Sequence, residues 1–211
     1  MAVRRDYTGG AIVSAVLREQ PENSIVAAGG VYRRKTHYGY RAGIEVVELF
    51  QTDERFEEVV RLAHRVTQVP EFSFLGSTNK LHLVVDNTDG SGRITELIWG
   101  FRGLDAMSII LTAEREQRSD GGQYFIPRRD VVTDLVDAFQ EGRIEVSEEL
   151  MLSGMLESEL TNLTVRTADE ASALVVAVAL LTWKAREILP YRESFDHDPP
   201  PDYDDLRFGL K

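Results

Sequence analysis

Asp86 is the acidic residue whose place in the sequence best suits a binding or catalytic role. It ends the run Leu81–Asp86, in which most residues are apolar, as in a strand that is buried on both faces. The loop Asn87-Thr88-Asp89-Gly90 then stops the strand. Parallel sheets bind ligands at the carboxyl ends of their strands, so this carboxylate stands where such a ligand would lie. The alternative is a structural role, in which Asp86 caps the following turn by accepting hydrogen bonds from the backbone of Thr88 or Asp89.

A second pair of acids, Asp169 and Glu170, lies at the start of the clearest helix pattern in the chain, over residues 167–187. Thr167 and Glu170 have the spacing of a capping box, and acids favour a helix amino terminus electrostatically. Asp169 lies three residues before Ser172, and therefore on the same helical face about one turn away. The pattern favours capping for this pair and leaves a displaced binding role open for Asp169.

Other common chemistries have no support in the sequence. The absence of cysteine excludes a thiol nucleophile, a disulfide framework and a cysteine-type zinc site. The four histidines are scattered without metal-ligand spacing. Neither a Gly-x-Ser-x-Gly elbow nor a Walker phosphate-binding motif occurs.

Length and composition predict a single domain followed by a tail. The chain has 211 residues, of which 43% are hydrophobic and 28% are charged, as in ordinary globular proteins. Residues 1–188 are expected to form the domain, while residues 189–211 are acidic and proline-rich and are expected to be extended. No apolar run is long enough to cross a bilayer, so no membrane contact is expected.

The charge is unevenly distributed along the chain. A net charge of -11 opposes extensive non-specific binding of nucleic acid. Residues 1–43 nevertheless carry seven basic residues against three acids. These basic side chains could face phosphates, or they could protect sheet edges.

Periodicity predicts strands and helices in alternation. Strands are expected over residues 11–17, 24–31 and 44–50, at Leu81–Asp86, and over residues 108–112. Helices are expected over residues 53–68, 94–101, 131–139 and 167–187, with a further short helix capped by Ser147. This order predicts an α/β domain whose central sheet is flanked by helices.

Four stretches of the chain resemble the nuclease domain of viral, phage-type terminase large subunits. They are Arg5-Asp6-Tyr7-Thr8, Leu83-Val84-Val85-Asp86-Asn87-Thr88, Ile126-Pro127-Arg128-Arg129-Asp130-Val131-Val132 and Leu174-Val175-Val176-Ala177-Val178-Ala179-Leu180. Together these stretches, in this order, span most of residues 1–183. The resemblance implies a ribonuclease H-like fold with a mixed central sheet. It also implies a role in viral DNA packaging or virion assembly, in the host cytoplasm or in the virion.

The resemblance further implies metal chemistry. That family cuts DNA with two divalent cations, Mg²⁺ or Mn²⁺, held by acids from the first strand, the fourth strand and the late helix. Asp86 matches the acid of the fourth strand. If Asp6 is aligned as it stands, the first-strand acid would lie upstream of Met1. If residues 24–30 form the first strand instead, Ala27 or Ala28 takes its place.

On the late helix, Ser172 and Ala173 stand where that family carries acids. The candidate catalytic residues are therefore Asp86, Asp169 and, through a shifted register, Asp6, and the candidate metal ligands are Asp86, Asp169 and Glu170. Because two of the three expected positions lack a carboxylate, the sequence favours lost or weakened nuclease activity over an active Mg²⁺- or Mn²⁺-dependent endonuclease.

The candidate DNA contacts are Arg93, Arg128 and Arg129, which precede predicted helices. In the tail, apolar residues at 206–210 follow an acidic run, which suggests a docking motif for other packaging or virion proteins. A third hypothesis is an unrelated oligomeric scaffold or interaction module. It predicts a different sheet topology and a large apolar surface patch.

Overall fold

The computed structural model describes residues 6–17, 24–36, 39–52, 81–88, 105–120, 123–163 and 170–188. The strands are β1 (Asp6–Val16), β2 (Ser24–Thr36), β3 (Gly39–Thr52), β4 (Leu81–Asp86), β5 (Asp105–Thr112), β6 (Arg118–Asp120), β7 (Gln123–Pro127) and β8 (Ile144–Val146). The helices are α1 (Arg128–Gln140), α2 (Ser153–Asn162) and α3 (Ala173–Ile188). The helices predicted over residues 53–68 and 94–101, and the tail from residue 189, lie outside the described residues.

The eight strands form one mixed sheet in the order β6-β7-β5-β4-β1-β2-β3-β8. The first three strands pair antiparallel in sequence order. β4 then pairs parallel with β1, and β5 pairs parallel with β4. The spatial order β3-β2-β1-β4-β5, with only β2 reversed, is the ribonuclease H-like arrangement. The predicted fold class of a mixed central sheet flanked by helices is therefore confirmed.

Helix α3 covers one face of the sheet. Its residues from Leu174 to Ala185 are all buried, because the sequence places apolar or small side chains on nearly every position of this helix. It packs against α1 and, on the sheet, mainly on β1 and β2, where Ile12, Val16 and Ala27 belong to the same buried core. Position 29 of β2 requires glycine for a steric reason, because a Cβ there would overlap the carbonyl oxygen of Glu45 on β3.

The structure corrects two predicted helix starts. Ser147 does not begin a helix, since residues 148–152 form turns and α2 begins only at Ser153. The late helix begins at Ala173 rather than at residue 167, and residues 171 and 172 are not helical. No helix among the described residues is long and apolar enough to cross a membrane.

Candidate functional site at the carboxyl edge of the sheet

Asp86 lies buried at the carboxyl end of β4, with 2% of its surface exposed. Its Oδ1 accepts a hydrogen bond from the Thr88 backbone N–H at 2.9 Å and a short one from the Thr88 hydroxyl. The Thr88 hydroxyl oxygen in turn accepts the N–H of Leu111 on β5, at 2.9 Å. One oxygen of Asp86 thus has the turn-capping role that the sequence offered as the structural alternative.

The second oxygen, Asp86 Oδ2, is buried and accepts no hydrogen bond from the described residues. Three further buried polar atoms near the same edge, the side-chain oxygens of Asn87, Ser108 and Thr112, also have no hydrogen-bond partner within the described part of the chain. By strand alternation, Asp86 faces α3, whereas Ser108 and Thr112 face the other side of the sheet. A buried polar atom without a partner costs about 1 to 3 kcal/mol. Unsatisfied polar atoms therefore concentrate at the end of β4 and β5, where α/β sheets bind ligands.

The amino end of α3 lies at this same edge. Lys184, near the other end of the helix, lies 3.7 Å from a carboxylate oxygen of Asp105, which begins β5. Ser14, the β1 neighbour of Val84, donates its hydroxyl to the carbonyl oxygen of Ala177 at 2.6 Å. From there, about 7.5 Å of helix leads back to residue 172, and about 7 Å of strand leads forward to residue 86. The start of α3 and Asp86 therefore lie at similar positions along the direction of the strands.

Ser172 is the residue that caps α3. Its hydroxyl oxygen accepts the N–H of Val175 at 3.2 Å, and its carbonyl oxygen accepts the first helical N–H, from Val176, at 3.0 Å. The same hydroxyl donates a short hydrogen bond to Glu159 of α2. Glu170 is an exposed residue of a 3₁₀ turn that precedes the cap by two residues, so it does not lie in the first turn of α3. Asp169 and Thr167 lie outside the described residues.

On the other side of Asp86, β1 presents no acid. Val16 is the direct neighbour of Asp86 in the parallel ladder, and Ser14 is the next β1 residue on the same face. The strand beside β4 is thus residues 6–16. This differs from both alignments considered, one placing the first-strand acid before Met1 and the other placing the first strand at residues 24–30.

Asp6 is not brought to Asp86. It begins β1, whereas the neighbour of Asp86 is at the strand's opposite end, ten residues and about 30 Å away along an extended chain. The expected shared site for these two acids is therefore corrected by the geometry. Across the described residues, no group of three or more histidine or acidic side chains is placed to hold a metal ion.

A cavity of about 530 Å³ adjoins this edge, between the end of β5 and the start of α1. Thr112 lines it together with Arg115 and Arg129, and three acids also line it, namely Glu114, Asp130 and Asp134. Two of these acids are paired, Glu114 with Arg118 at 3.3 Å and Asp134 with Arg186. The lining is therefore of mixed charge.

The cavity contains one of the predicted DNA contacts. Arg129 is exposed at its lining, whereas Arg128 is half-buried and already has an interaction within the fold. Arg93 lies outside the described residues. Sequence reasoning identified Arg129 but missed Thr112 and Arg115, because only the pairing of β5 with β7 brings their segment beside α1. No spacing along the chain signals that approach.

No protein-family model matches the sequence, and no curated protein matches it. Among solved structures, the chain is similar to the human cytomegalovirus terminase nuclease domain. One structure of that domain shares 18% identity with a TM-score of 0.46, over 82% of this chain and 81% of that one. A manganese-soaked structure shares 20% identity with a TM-score of 0.45, over 85% of each chain. The fold assignment itself follows from the strand order described above.

Proposed function

We propose that this chain is a terminase-nuclease-like module that serves viral DNA packaging or virion assembly and has lost efficient two-metal DNA cleavage. The order of the four sequence stretches, the ribonuclease H-like strand order and Asp86 at the carboxyl edge support the proposal. One observation carries it, which is the identity of the residues around Asp86. There, β1 presents Val16 and Ser14, and Ser172 caps the start of α3.

Two-metal hydrolysis makes a demand that these residues do not meet. Two divalent cations roughly 3.5 to 4 Å apart must be held and screened by several carboxylates. Thr88 occupies one oxygen of Asp86, and the other accepts no hydrogen bond from the residues that the structure describes. Ser14 gives its hydroxyl hydrogen to Ala177, and Ser172 gives its own to Glu159. Neutral hydroxyls and the apolar Val16 do not screen a pair of dications, so the described residues do not fit the two-metal centre.

The competing proposal is an active Mg²⁺- or Mn²⁺-dependent endonuclease. It is favoured by the unpartnered, buried Oδ2 of Asp86, because an anionic oxygen without a hydrogen-bond donor is a ready cation ligand. Asp169 and Glu170 would have to complete that site from the segment before α3. The third hypothesis, an unrelated scaffold, predicted a different sheet topology, and the strand order counts against it.

A plasmid-nicking assay separates the first two proposals. Supercoiled DNA is incubated with the full chain, with Asp86→Ala and with Asp137→Ala, each with Mn²⁺, with Mg²⁺ or with a chelator. Asp137 is an exposed acid on α1 and serves as the matched control. We expect all three proteins to cut no faster with metal than with chelator. Metal-stimulated cutting that Asp86→Ala abolishes and Asp137→Ala retains would establish the active endonuclease instead.

A further inference from the structure

Helix α2 has one face anchored in the core. Leu156 and Leu160 are buried, and the partly buried Leu152 and Leu163 pack against the same core. The short hydrogen bond between Glu159 and Ser172 ties the helix to the cap of α3. The orientation of α2 on the domain is therefore fixed, and its opposite face points to solvent.

At that side of the domain lies an exposed stripe, which comprises the methionines Met151 and Met155 and the small residues Gly154 and Ser158; Met151 lies in the turn that precedes α2. Met151 is 87% exposed and Met155 is 57% exposed, and Gly154 and Ser158 are exposed as well. Gly154, Met155 and Ser158 lie within α2, where residues four apart share a face, and Met151 lies in the turn just before the helix. Among the described residues, the only other large hydrophobic side chain with comparable exposure is Phe139, at 39%.

No contact within the described part of the chain explains Gly154. A Cβ added there would meet none of these atoms within 4 Å, so neither close packing nor steric exclusion among them requires glycine. Glycine inside a helix lowers helical stability relative to alanine. A partner whose backbone approaches the helix closely at this position would give the residue a reason.

The surroundings of the stripe are acidic. Residues 147–163 contain four glutamates and no lysine or arginine, and Glu148, Glu149 and Glu157 are exposed. A second copy of the chain would bring the same glutamates against each other, and like charges across an interface are disfavoured. Charge complementarity therefore selects a basic partner, and methionines suit a surface that adapts to an apolar helix face.

We infer that the stripe on α2 is a docking surface for a basic amphipathic helix of a partner protein. The partner's apolar side chains pack on Met151 and Met155, its backbone crosses close to Gly154, and its lysines or arginines face the flanking glutamates. This inference does not depend on metal chemistry at Asp86. It goes beyond the proposed function because it assigns the contact with a partner protein to the region of α2. The sequence had instead suggested the tail as the docking site.

The probe is a fluorescent synthetic helix of about 18 residues, five turns, with leucines on one face and lysines on the other. A scrambled peptide of the same composition keeps the charge and loses the apolar face. Fluorescence anisotropy measures the binding of both peptides to the full chain. We expect the ordered peptide to bind at least about tenfold more tightly, because only it can bury the methionines.

Three variants test which contacts carry the binding. M151E/M155E adds two negative charges within the stripe, and Q117E/Q140E adds two at exposed positions outside it. We expect M151E/M155E to weaken binding of the ordered peptide about tenfold although it is more acidic, and Q117E/Q140E to bind as well as the wild type or better. Gly154→Ala should weaken binding without lowering the melting temperature.

Two results would overturn the inference. If M151E/M155E binds the ordered peptide as tightly as Q117E/Q140E does, the attraction is purely electrostatic and the stripe is not the docking surface. If the wild-type chain dimerises in sedimentation and M151E/M155E does not, the stripe is occupied by a second copy. Circular dichroism melts of each variant confirm that the proteins compared are folded.

Discussion

Replacing Asp86 with asparagine and with alanine separates the roles of its two oxygens. Asparagine keeps an oxygen that can accept the N–H and hydroxyl of Thr88, and it replaces the unpartnered Oδ2 with a neutral amide group. Alanine removes both oxygens and leaves the Thr88 N–H without its acceptor. Since Oδ2 has no partner to lose among the described residues, the two substitutions should differ in their cost.

The expected magnitudes follow from these hydrogen bonds. Hydrogen bonds to a charged group contribute about 1.5 to 3 kcal/mol, so Asp86→Ala should lower the free energy of unfolding by about 2 kcal/mol. For a domain of this size, that corresponds to a fall in melting temperature of about 4 to 8 °C. Asp86→Asn keeps the Thr88 contacts and removes a charge buried without a donor, so it should remain within about 1 kcal/mol of the wild type.

Urea unfolding followed by circular dichroism measures both variants, with Thr88→Val as the partner variant in a double-mutant cycle. Asp86→Ala and Thr88→Val should be strongly non-additive, because each removes the same hydrogen bond. If Asp86→Asn costs as much as Asp86→Ala, then Oδ2 is engaged by a group that we have not identified. The description of Asp86 as having one free oxygen would then be refuted.

Three further predictions test other parts of the structure. Ser172→Ala should lower the free energy of unfolding by about 1 kcal/mol because it removes the cap of α3, whereas Thr167→Ala should lower it little. If urea unfolding shows the larger loss for Thr167→Ala, the helix begins at residue 167 as the sequence predicted. Burial raises the pKa of Asp134 against the opposing effect of Arg186, so the folded state holds a proton more tightly than the unfolded chain, whose value is 3.8. Stability from this group is therefore lost as pH rises from about 4 through the folded pKa, so Asp134→Asn should gain stability relative to the wild type as pH rises above about 4. A difference that stays constant with pH would contradict this. Arg129→Ala should reduce the salt dependence of duplex DNA binding by about one phosphate contact in anisotropy titrations, and an unchanged slope would remove Arg129 from the DNA contacts.

The sequence predicted those elements whose burial pattern is strong. Leu81–Asp86 has the predicted bounds, because a strand buried on both faces reads as a continuous apolar run. The helix predicted over residues 131–139 is α1, and it starts three residues earlier than its apolar pattern because Arg128 and Arg129 are polar positions of its first turn. β2 and β3 continue beyond their apolar cores into a polar hairpin, which periodicity alone does not assign to strands.

The rest depended on contacts that are distant in sequence. β6, β7 and β8 are three to five residues long, too short to show an alternating pattern, and pairing with neighbours defines them. The capping box at residue 167 and the cap at Ser147 were plausible locally. Tertiary packing instead placed the helix starts at Ala173 and Ser153. Asp86 could be singled out because strand ends are predictable, but the presence of Val16 and Ser14 rather than acids at the neighbouring positions of β1 required the β1–β4 register.

Manganese binding to the full chain, measured by isothermal titration calorimetry alongside Asp86→Ala and Asp137→Ala, tests the central claim most directly. Because β1 offers Val16 and Ser14 and the start of α3 offers Ser172 where acids are needed, the described residues around Asp86 should not hold a pair of dications. We predict no two-ion binding that depends on Asp86, and the same weak isotherm for all three proteins. Two Mn²⁺ ions bound per chain, both lost in Asp86→Ala and both retained in Asp137→Ala, would contradict the account.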